Sequence, residues 1–441
     1  MLKRKINQQL AAWKKRPNHQ PLIIKGVRQC GKTASVLDFA HSHYAHTVYL
    51  NFFENPQYAE IFQNSLSVDT LTMLMSVQLP DAVFEPGSTV IILDEIQECP
   101  EARTALKFFS LDGRYDVIAT GSLLGVSGYG TPKSIPVGYE QLMIMYPMDF
   151  EEFLWAQGIK PEVIGFLRTC LEKEQPVPSA LHEKMRELLK LYTIVGGMPA
   201  VVQSFVERHN LQEVLLLQRN IIHSYEDDMV KYAENRDKGR IRQCFASIPR
   251  QLAKENKKFQ YSVVESRGNA QKFSSSLQWI EDAGIICRCY NLSLPDLPLE
   301  GYAVDNIFKV YMADTGLFVS MLEDGTQSDI LHGNMLGYKG AIYENLAADF
   351  FHKMGRKLYY FHKDSGLEID FVIRLKGKAT LVEVKATNGY AKSLKTILSQ
   401  PERYPVNQGI KLADTDPSLY LLMVFLIKVK REEWNEASIS S

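Results

Sequence analysis

The chain has 441 residues, 45% of them hydrophobic, which is enough apolar material for packed cores in roughly three domains. Its 50 Lys and Arg and 51 Asp and Glu leave a formal charge of −1, which excludes a globally basic nucleic-acid coat and a disordered acidic tail. No signal peptide or membrane span is predicted, since the most apolar stretch, 419–427, is too short to cross a bilayer. Six cysteines without CxxC spacing predict reduced thiols and a cytoplasmic protein.

Short apolar runs alternate with helical stretches in the first 122 residues. The runs lie at 22–24, 48–52, 90–93 and 117–119. This alternation predicts an α/β fold with a parallel sheet covered by helices on both faces. The segment 125–147 contains Pro and Gly and alternates around 139–145, which predicts an edge strand or a hairpin.

The periodicity changes after this sheet. From 149 to about 230 the apolar spacing is helical, with a turn at Gly196, Gly197, Met198 and Pro199. Residues 236–290 then combine eleven Lys or Arg with five Asp or Glu in a helix, short element, helix, strand pattern, which predicts a winged helix. A helix at 341–354 and strands at 358–361, 368–373 and 381–384 predict a C-terminal α/β unit. The predicted domains are 1–165, 166–235, 236–330 and 331–441.

A phosphate-binding loop follows the first apolar run. Its residues fit GxxxxGK[ST] between a strand and a helix, namely Gly26, Val27, Arg28, Gln29, Cys30, Gly31, Lys32 and Thr33. The glycines let backbone N–H groups point at phosphate oxygens, Lys32 adds a positive charge, and Thr33 adds a hydroxyl ligand for Mg²⁺. The alternative is a glycine-rich turn that binds nothing.

Two carboxylates end the third apolar strand. Asp94 is predicted to hold the hydration shell of Mg²⁺, and Glu95 to accept a proton from the attacking water. Ser122, after the fourth strand, is the candidate sensor of the terminal phosphate, although a polar strand end that caps a turn is equally ordinary. The sequence contains no Asn-Lys-x-Asp motif of the kind that recognises guanine, since the similar residues at 235–238 stand in the wrong order. ATP is therefore favoured over GTP.

These residues and further blocks make the sequence similar to AAA+ type ATPases that carry a P-loop domain before a C-terminal domain of unassigned function, the AAA-14/DUF4143 group. The blocks lie at 26–33, 94–97, 121–125, 136–138, 145–154, 196–199, 310–317 and 340–345. The resemblance implies binding and hydrolysis of ATP with Lys32, Thr33, Asp94 and Glu95 in the roles above. It fixes no arginine finger, so Arg103, Arg114 and Arg219 stay equal candidates.

The C-terminal strand at 381–384 places Glu383 and Lys385 on one face. With Asp370 and Glu344, this arrangement resembles the PD-(D/E)xK nuclease core. The resemblance implies that Asp370 and Glu383 hold Mg²⁺, that Lys385 positions or polarises a water, and that Glu344 completes the cluster. The alternatives are a solvated strand face, or a fold kept for binding DNA or a protein.

Two functions therefore remain open. In the first, ATP hydrolysis controls Mg²⁺-dependent cleavage of nucleic acid. In the second, the ATP state switches how a non-catalytic C-terminal domain binds DNA or a protein partner. The basic segment 236–290 favours phosphate contacts, although such domains also serve as rigid packing elements. A protein client or a second copy of the chain is a further candidate partner, and no membrane contact is predicted.

Overall fold

The computed structural model describes residues 2–124, 138–173, 175–233, 237–254, 257–334, 337–385 and 390–413. Several segments that the sequence analysis discussed lie outside the described residues. They are the first part of the predicted edge segment (125–137), two residues of the segment compared with a guanine-recognition motif (235–236), and the apolar stretch 419–427. Among the described helices, none combines the length and the apolar character needed to cross a bilayer.

The described chain contains alternating strands and helices. The strands are β1 (Leu22–Lys25), β2 (His46–Asn51), β3 (Thr89–Asp94), β4 (Asp116–Gly121), β5 (Gln141–Ile144), β6 (Ile286–Leu292), β7 (Ala303–Met312), β8 (Leu358–His362), β9 (Glu368–Ile369), β10 (Phe371–Leu375), β11 (Lys378–Lys385) and β12 (Gln408–Ala413). The helices are α1 (Ile6–Lys14), α2 (Lys32–His43), α3 (Val68–Gln78), α4 (Pro100–Asp112), α5 (Phe150–Ala156), α6 (Pro161–Glu172), α7 (Ser179–Val195), α8 (Pro199–Arg208), α9 (Leu211–Tyr232), α10 (Lys238–Leu252), α11 (Tyr261–Val264), α12 (Ala270–Asp282), α13 (Thr315–Ser320), α14 (Thr326–His332), α15 (Lys339–Lys353) and α16 (Lys392–Leu398). Short 3₁₀ helices lie at Pro56–Phe62, Ile96–Glu98 and Leu299–Tyr302.

The chain divides into two compact units. Unit 1 contains residues 1–147, 227–238 and 278–284, and unit 2 contains 148–226, 239–277 and 285–441. The chain passes between the units five times, and three of these crossings lie within helices α9, α10 and α12. These units cut across the predicted domain boundaries, which stay a prediction.

Unit 1 is built on a five-stranded sheet in the order β2-β3-β4-β1-β5. Every pair in it is parallel, which confirms the predicted parallel sheet. β5 lies at the edge beside β1, so the prediction of an edge strand is confirmed. The hairpin alternative involves 125–137, which lie outside the described residues. The sheet is apolar because it is covered on its faces: all six residues of β3 are buried, and Leu50 and Leu93 pack with Leu71 of α3 and Leu106 of α4.

Unit 2 contains two smaller sheets, with strand orders β7-β6-β8-β9 and β10-β11-β12. The predicted strand at 368–373 is wrong in one respect, because it is two short strands that belong to different sheets. Asp370 lies at the break, and its carboxylate accepts a hydrogen bond from the backbone N–H of Val384 at 2.7 Å. The break between β9 and β10 therefore coincides with the residue whose carboxylate binds the backbone N–H of Val384 in β11.

The predicted winged-helix elements are present as α10, α11, α12 and the antiparallel strands β6 and β7. β6 also pairs in parallel with β8, which follows the predicted boundary at 330. Strands from both sides of that boundary therefore form one sheet. The winged-helix assignment itself stays a prediction.

A buried polar network holds unit 2 together at the family blocks 196–199 and 310–317. The ammonium of Lys353 donates to the hydroxyl of Tyr192 at 2.9 Å and pairs with Asp349 at 2.8 Å and Asp314 at 3.3 Å. Asp314 also accepts from the backbone N–H of Gly197 at 2.7 Å. Burial alone would lower the pKa of Lys353, but the two aspartates raise it. These blocks thus have a structural role in this chain.

The turn before α8 requires glycine. Gly196 has a φ of +72°, and a Cβ at Gly316 would lie 2.6 Å from the Cα of Gly196. Side chains at these two positions would separate the backbones that the network joins.

Helix α5 begins with a capping box. The carboxylate of Asp149 accepts from the backbone N–H of Glu152 at 2.9 Å, and the Glu152 side chain accepts from the backbone N–H of Asp149 at 3.1 Å. We expect Asp149→Ala to lower the free energy of unfolding by about 1 kcal/mol, measured by denaturant titration. Asp149→Asn keeps the acceptor and should stay near the wild-type value; an equal loss in both variants would contradict the capping role.

Candidate nucleotide-binding site

The predicted phosphate-binding loop joins β1 to α2 in unit 1. Gln29 and Gly31 have φ values of +66° and +93°, so two residues of the loop adopt left-handed backbone conformations before the helix begins. Gly26 is required for a different reason, because a Cβ there would run into the carbonyl oxygen of Met145. Cys30, a residue of the loop, is fully buried. The loop therefore presents its backbone and the start of α2 at the carboxyl edge of the sheet, where anions bind.

Lys32 is buried and fully hydrogen-bonded. Its ammonium donates to the carbonyl oxygens of Gly26 at 2.9 Å and Val27 at 3.1 Å, and to the hydroxyl of Ser122 at 2.8 Å. The structure thus brings Ser122 to the loop, and its role as a sensor of the terminal phosphate stays a prediction. An ammonium has three donor hydrogens, so it can exchange these bonds for bonds to phosphate oxygens.

Asp94 lies at the centre of a polar cluster. Its carboxylate accepts from the hydroxyl of Thr33 at 2.9 Å and of Tyr49 at 2.8 Å, and it also accepts from the hydroxyl of Thr120. The amide of Asn51 lies 3.5 Å away. The sequence analysis predicted the pair of Thr33 and Asp94 but missed Tyr49, Asn51 and Thr120.

These residues fit ATP with Mg²⁺. Mg²⁺ binds proteins through one or two hard oxygen ligands and keeps waters and phosphate oxygens for its other positions. The Thr33 hydroxyl and the Asp94 carboxylate supply two such ligands side by side. Tyr49 and Thr120 hold the carboxylate in place as outer partners.

Glu95 follows Asp94 in a left-handed conformation, with φ +52° and ψ +48°. Such backbone is unusual for a residue with a side chain and clusters at functional sites. Its carboxylate accepts from the amide of Gln97 at 2.6 Å, and Gln97 itself is buried. Glu95 is only half-buried, so its carboxylate can reach a water at the sheet edge.

The loop is also held by the last turn of α9. Arg28 forms an ion pair with Asp228, which is buried. Burial raises the pKa of Asp228, and Arg28 opposes that shift. Lys231 of the same turn lies 4.5 Å from the ring centre of Phe53, an exposed residue after β2. The sequence analysis had no signal for these long-range partners.

The three candidate arginine fingers are all engaged in ion pairs of their own chain. Arg103 binds Glu140 at 2.6 Å, Arg114 binds Asp69 at 2.6 Å, and Arg219 binds Asp324 at 2.5 Å. The structure therefore does not separate the three.

The C-terminal residues of the second predicted site lie near one another in unit 2. Lys385 pairs with Glu383 at 2.7 Å, and the charges of Asp370 and Glu344 also raise the pKa of Lys385 against the effect of burial. Glu383 further accepts from the backbone N–H of Leu394 at 3.2 Å. Within the described ranges, no group of three His, Cys, Asp or Glu side chains is arranged to hold a metal ion.

Two lysines that the sequence analysis missed neutralise Glu344. Lys257 forms an ion pair with one carboxylate oxygen, and the buried Lys309 lies 3.6 Å from the other, which also accepts from the hydroxyl of Tyr311 at 3.1 Å. Burial would raise the pKa of Glu344, but the two lysines lower it. Its carboxylate is thus paired by cations of its own chain.

Asp370 is expected to make stability depend on pH. Burial, followed by the charge of Glu344, raises the pKa of Asp370 to about 7. A carboxyl group whose pKa is higher in the folded state costs stability as pH rises from its ordinary value near 4 to about 7. Asp370→Asn should therefore gain stability relative to wild type across this range, measured as unfolding midpoints at pH 5 and pH 8. If the difference in unfolding midpoint between Asp370→Asn and wild type is the same at pH 5 and pH 8, the raised pKa of Asp370 is contradicted.

Part of the basic excess at 236–290 is used inside the chain. Lys257 pairs with Glu344, and Lys272 pairs with Glu265 at 2.7 Å. Three large apolar residues of α12 are buried, namely Leu277, Trp279 and Ile280, and so are not exposed for base stacking. The excess of six positive charges already counts Glu265 against the basic residues. Of these two pairs, it is therefore the one between Lys257 and Glu344, outside the segment, that reduces the charge available for phosphate contacts.

A parallel sheet, a GxxxxGK[ST] loop between β1 and α2, and a carboxylate at the end of β3 together define a P-loop NTPase domain. Three family models match the chain: "AAA domain" at 18–154, "Domain of unknown function (DUF8612)" at 186–328 and "Domain of unknown function (DUF4143)" at 339–429. These matches support an AAA-type ATPase domain in the N-terminal part of the chain. They do not support a nuclease-like C-terminal domain.

Solved structures of limited likeness were also found. The Walker-type ATPase PABY2304 of Pyrococcus abyssi is 14% identical, with a TM-score of 0.42 over 73% of this chain and 96% of that one. The ORC1 protein of Aeropyrum pernix in complex with DNA is 11% identical, with a TM-score of 0.28 over 75% and 91%. AMPPCP-bound DnaA from Aquifex aeolicus is 12% identical, with a TM-score of 0.27 over 64% and 87%. A sequence comparison with curated proteins found no match.

Proposed function

We propose that the protein binds ATP with Mg²⁺ and hydrolyses it. One observation carries this proposal: Lys32, Thr33 and Asp94 meet at the carboxyl edge of the parallel sheet, with Glu95 beside them. Lys32 and the loop backbone would hold the phosphates, and Thr33 and Asp94 would hold Mg²⁺, which neutralises phosphate charge when bound.

The chemistry of the residues follows from this arrangement. Glu95 takes a proton from a water, the water oxygen bonds to the terminal phosphorus, and the bond to the bridging oxygen breaks to give ADP and phosphate. The contact of Ser122 with Lys32 supports a role for its hydroxyl in binding an oxygen of the terminal phosphate. We infer that the nucleotide is ATP rather than GTP, because the sequence contains no Asn-Lys-x-Asp motif for guanine recognition.

The test is phosphate release from ATP by the purified full chain. We expect turnover with Mg²⁺, little without it, and a preference for ATP over GTP. Absence of turnover in the presence of bound ATP would overturn hydrolysis but not binding. Lys32→Ala should remove both activities, because the ammonium is the main positive charge at the loop.

For the C-terminal part, the ion pairs favour a non-catalytic role. Glu344 is already neutralised by Lys257 and Lys309, and Asp370 is occupied by the N–H of Val384. We therefore propose that the ATP state controls binding of DNA or a protein in the cytoplasm. The chain connection supports coupling between the ATP state and the C-terminal part. Asp228, the partner of Arg28 in the phosphate-binding loop, lies on α9, and the chain passes from unit 2 to unit 1 within this helix.

Mg²⁺-dependent cleavage of nucleic acid is the second candidate. The proximity of Glu383, Lys385 and Asp370 favours it. Single-stranded, duplex and branched DNA should stay intact when incubated with the protein, ATP and Mg²⁺. Cleavage that is lost in Glu383→Ala and Lys385→Ala would instead establish the nuclease and overturn the non-catalytic role.

A further inference from the structure

Glu95 has one side-chain partner whose role the proposed function leaves unassigned. The amide nitrogen of Gln97 donates to Oε2 of Glu95 at 2.6 Å, and only 6% of Gln97 is exposed. The amide can be oriented in only one way, because the opposite orientation would bring its oxygen against the carboxylate. A donor that is fixed by burial restricts the carboxylate to one position.

A second observation concerns the residues packed around the amide oxygen of Gln97. A Cβ at Gly121 would lie 2.6 Å from Oε1 of Gln97 and equally close to the side chain of Leu124, so a larger residue after Thr120 would crowd both the amide and Leu124. Oε1 is buried and has no hydrogen-bond partner among the described residues. Burying an unpaired acceptor costs stability, so packing alone does not account for a glutamine here.

The backbone of Glu95 adds a third observation. In its left-handed conformation, Glu95 projects from a turn rather than from the regular strand, and the 3₁₀ helix Ile96–Glu98 follows immediately. Gln97 lies in that helix, two residues on. The turn therefore places the donor and its acceptor on one short rigid segment.

We propose that Gln97 is a positioning residue for ATP hydrolysis, which holds the carboxylate of Glu95 in the orientation that accepts the proton of the attacking water. This inference rests on the proposed function of Glu95. The side-chain hydrogen bond of Gln97 goes to Glu95, so Gln97 acts through that carboxylate.

The test is a double-mutant cycle in the full chain with ATP and Mg²⁺. Gln97→Leu removes the donor at similar volume and should lower kcat by about 10- to 100-fold, with KM and ATP affinity changed by less than about threefold. In the Glu95→Gln background, the same substitution should have no further effect, because the group that it positions is gone.

Several outcomes would overturn the inference. Unchanged kcat in Gln97→Leu would do so, and so would an equal loss in both backgrounds, since a merely structural residue acts independently of Glu95. If Gln97→Leu does not fold, the isosteric Gln97→Glu replaces it, and its carboxylate beside Glu95 should lower kcat at least as much. The role of Glu95 as the base fails separately, when Glu95→Gln alone leaves turnover unchanged, and the proposed hydrolysis itself fails when the wild type shows no turnover of ATP.

Discussion

Replacing Glu95 with Gln is expected to lower ATP turnover by about 10²- to 10⁴-fold while ATP remains bound. Proton transfer to a positioned side chain contributes a factor of this size, and an amide cannot accept the proton of the attacking water. The substitution is nearly isosteric and removes no ligand of the phosphates or of Mg²⁺. The measurement is single-turnover phosphate release, with ATP affinity determined by calorimetry on the same preparations.

A matched control lies nearby on the chain. Glu101, in the first turn of α4, is outside the candidate site, and Glu101→Gln should leave turnover at the wild-type level. Wild-type turnover in Glu95→Gln would reject Glu95 as the base. Loss of ATP binding in Glu95→Gln would show instead that the carboxylate holds the nucleotide or its metal.

The second large effect concerns stability. Replacing Lys353 with Met should lower the free energy of unfolding by about 3–5 kcal/mol, because it leaves Asp349 and Asp314 buried without their cation. Burial already raises the pKa of Asp349 to about 6 despite Lys353. Without the lysine the carboxylate form becomes less stable still, so the loss should be larger at pH 8 than at pH 5.

The control for this prediction is an ion pair on the surface. Lys184 and Glu187 lie 3.0 Å apart on α7, and both are more than half exposed. Lys184→Met should change stability by less than about 1 kcal/mol, since exposed pairs contribute little. Unfolding midpoints by circular dichroism in denaturant compare the two variants. Similar losses in both would contradict the structural role of the Lys353 network.

The sequence predicted the parallel sheet and the central pair of the site for one physical reason. Strands buried on both faces are continuous apolar runs, so 22–24 and 90–93 were recognisable as β1 and β3. Parallel strands also end at a common edge, so Thr33 and Asp94 could be expected to meet, and they do at 2.9 Å. The C-terminal helix and strands likewise appear near the predicted positions.

The partners of these residues could not be predicted in the same way. Tyr49 and Thr120 reach Asp94 only because β2 and β4 flank β3, and short apolar runs do not determine the order of strands. Lys309 is the single charge of the otherwise apolar run 307–312 in β7, and its carboxylate partners lie 35 or more residues away in the sequence. Such long-range pairs depend on tertiary structure alone.

Calorimetric titration of ATP into the folded protein with Mg²⁺ tests the central claim most directly. The structure predicts saturable binding of one ATP per chain in the wild type. Lys32→Ala should show no binding heat, although its unfolding midpoint should show that it is folded. No heat in the folded wild type, or the same heat in Lys32→Ala, would contradict the assignment of this loop as the ATP site.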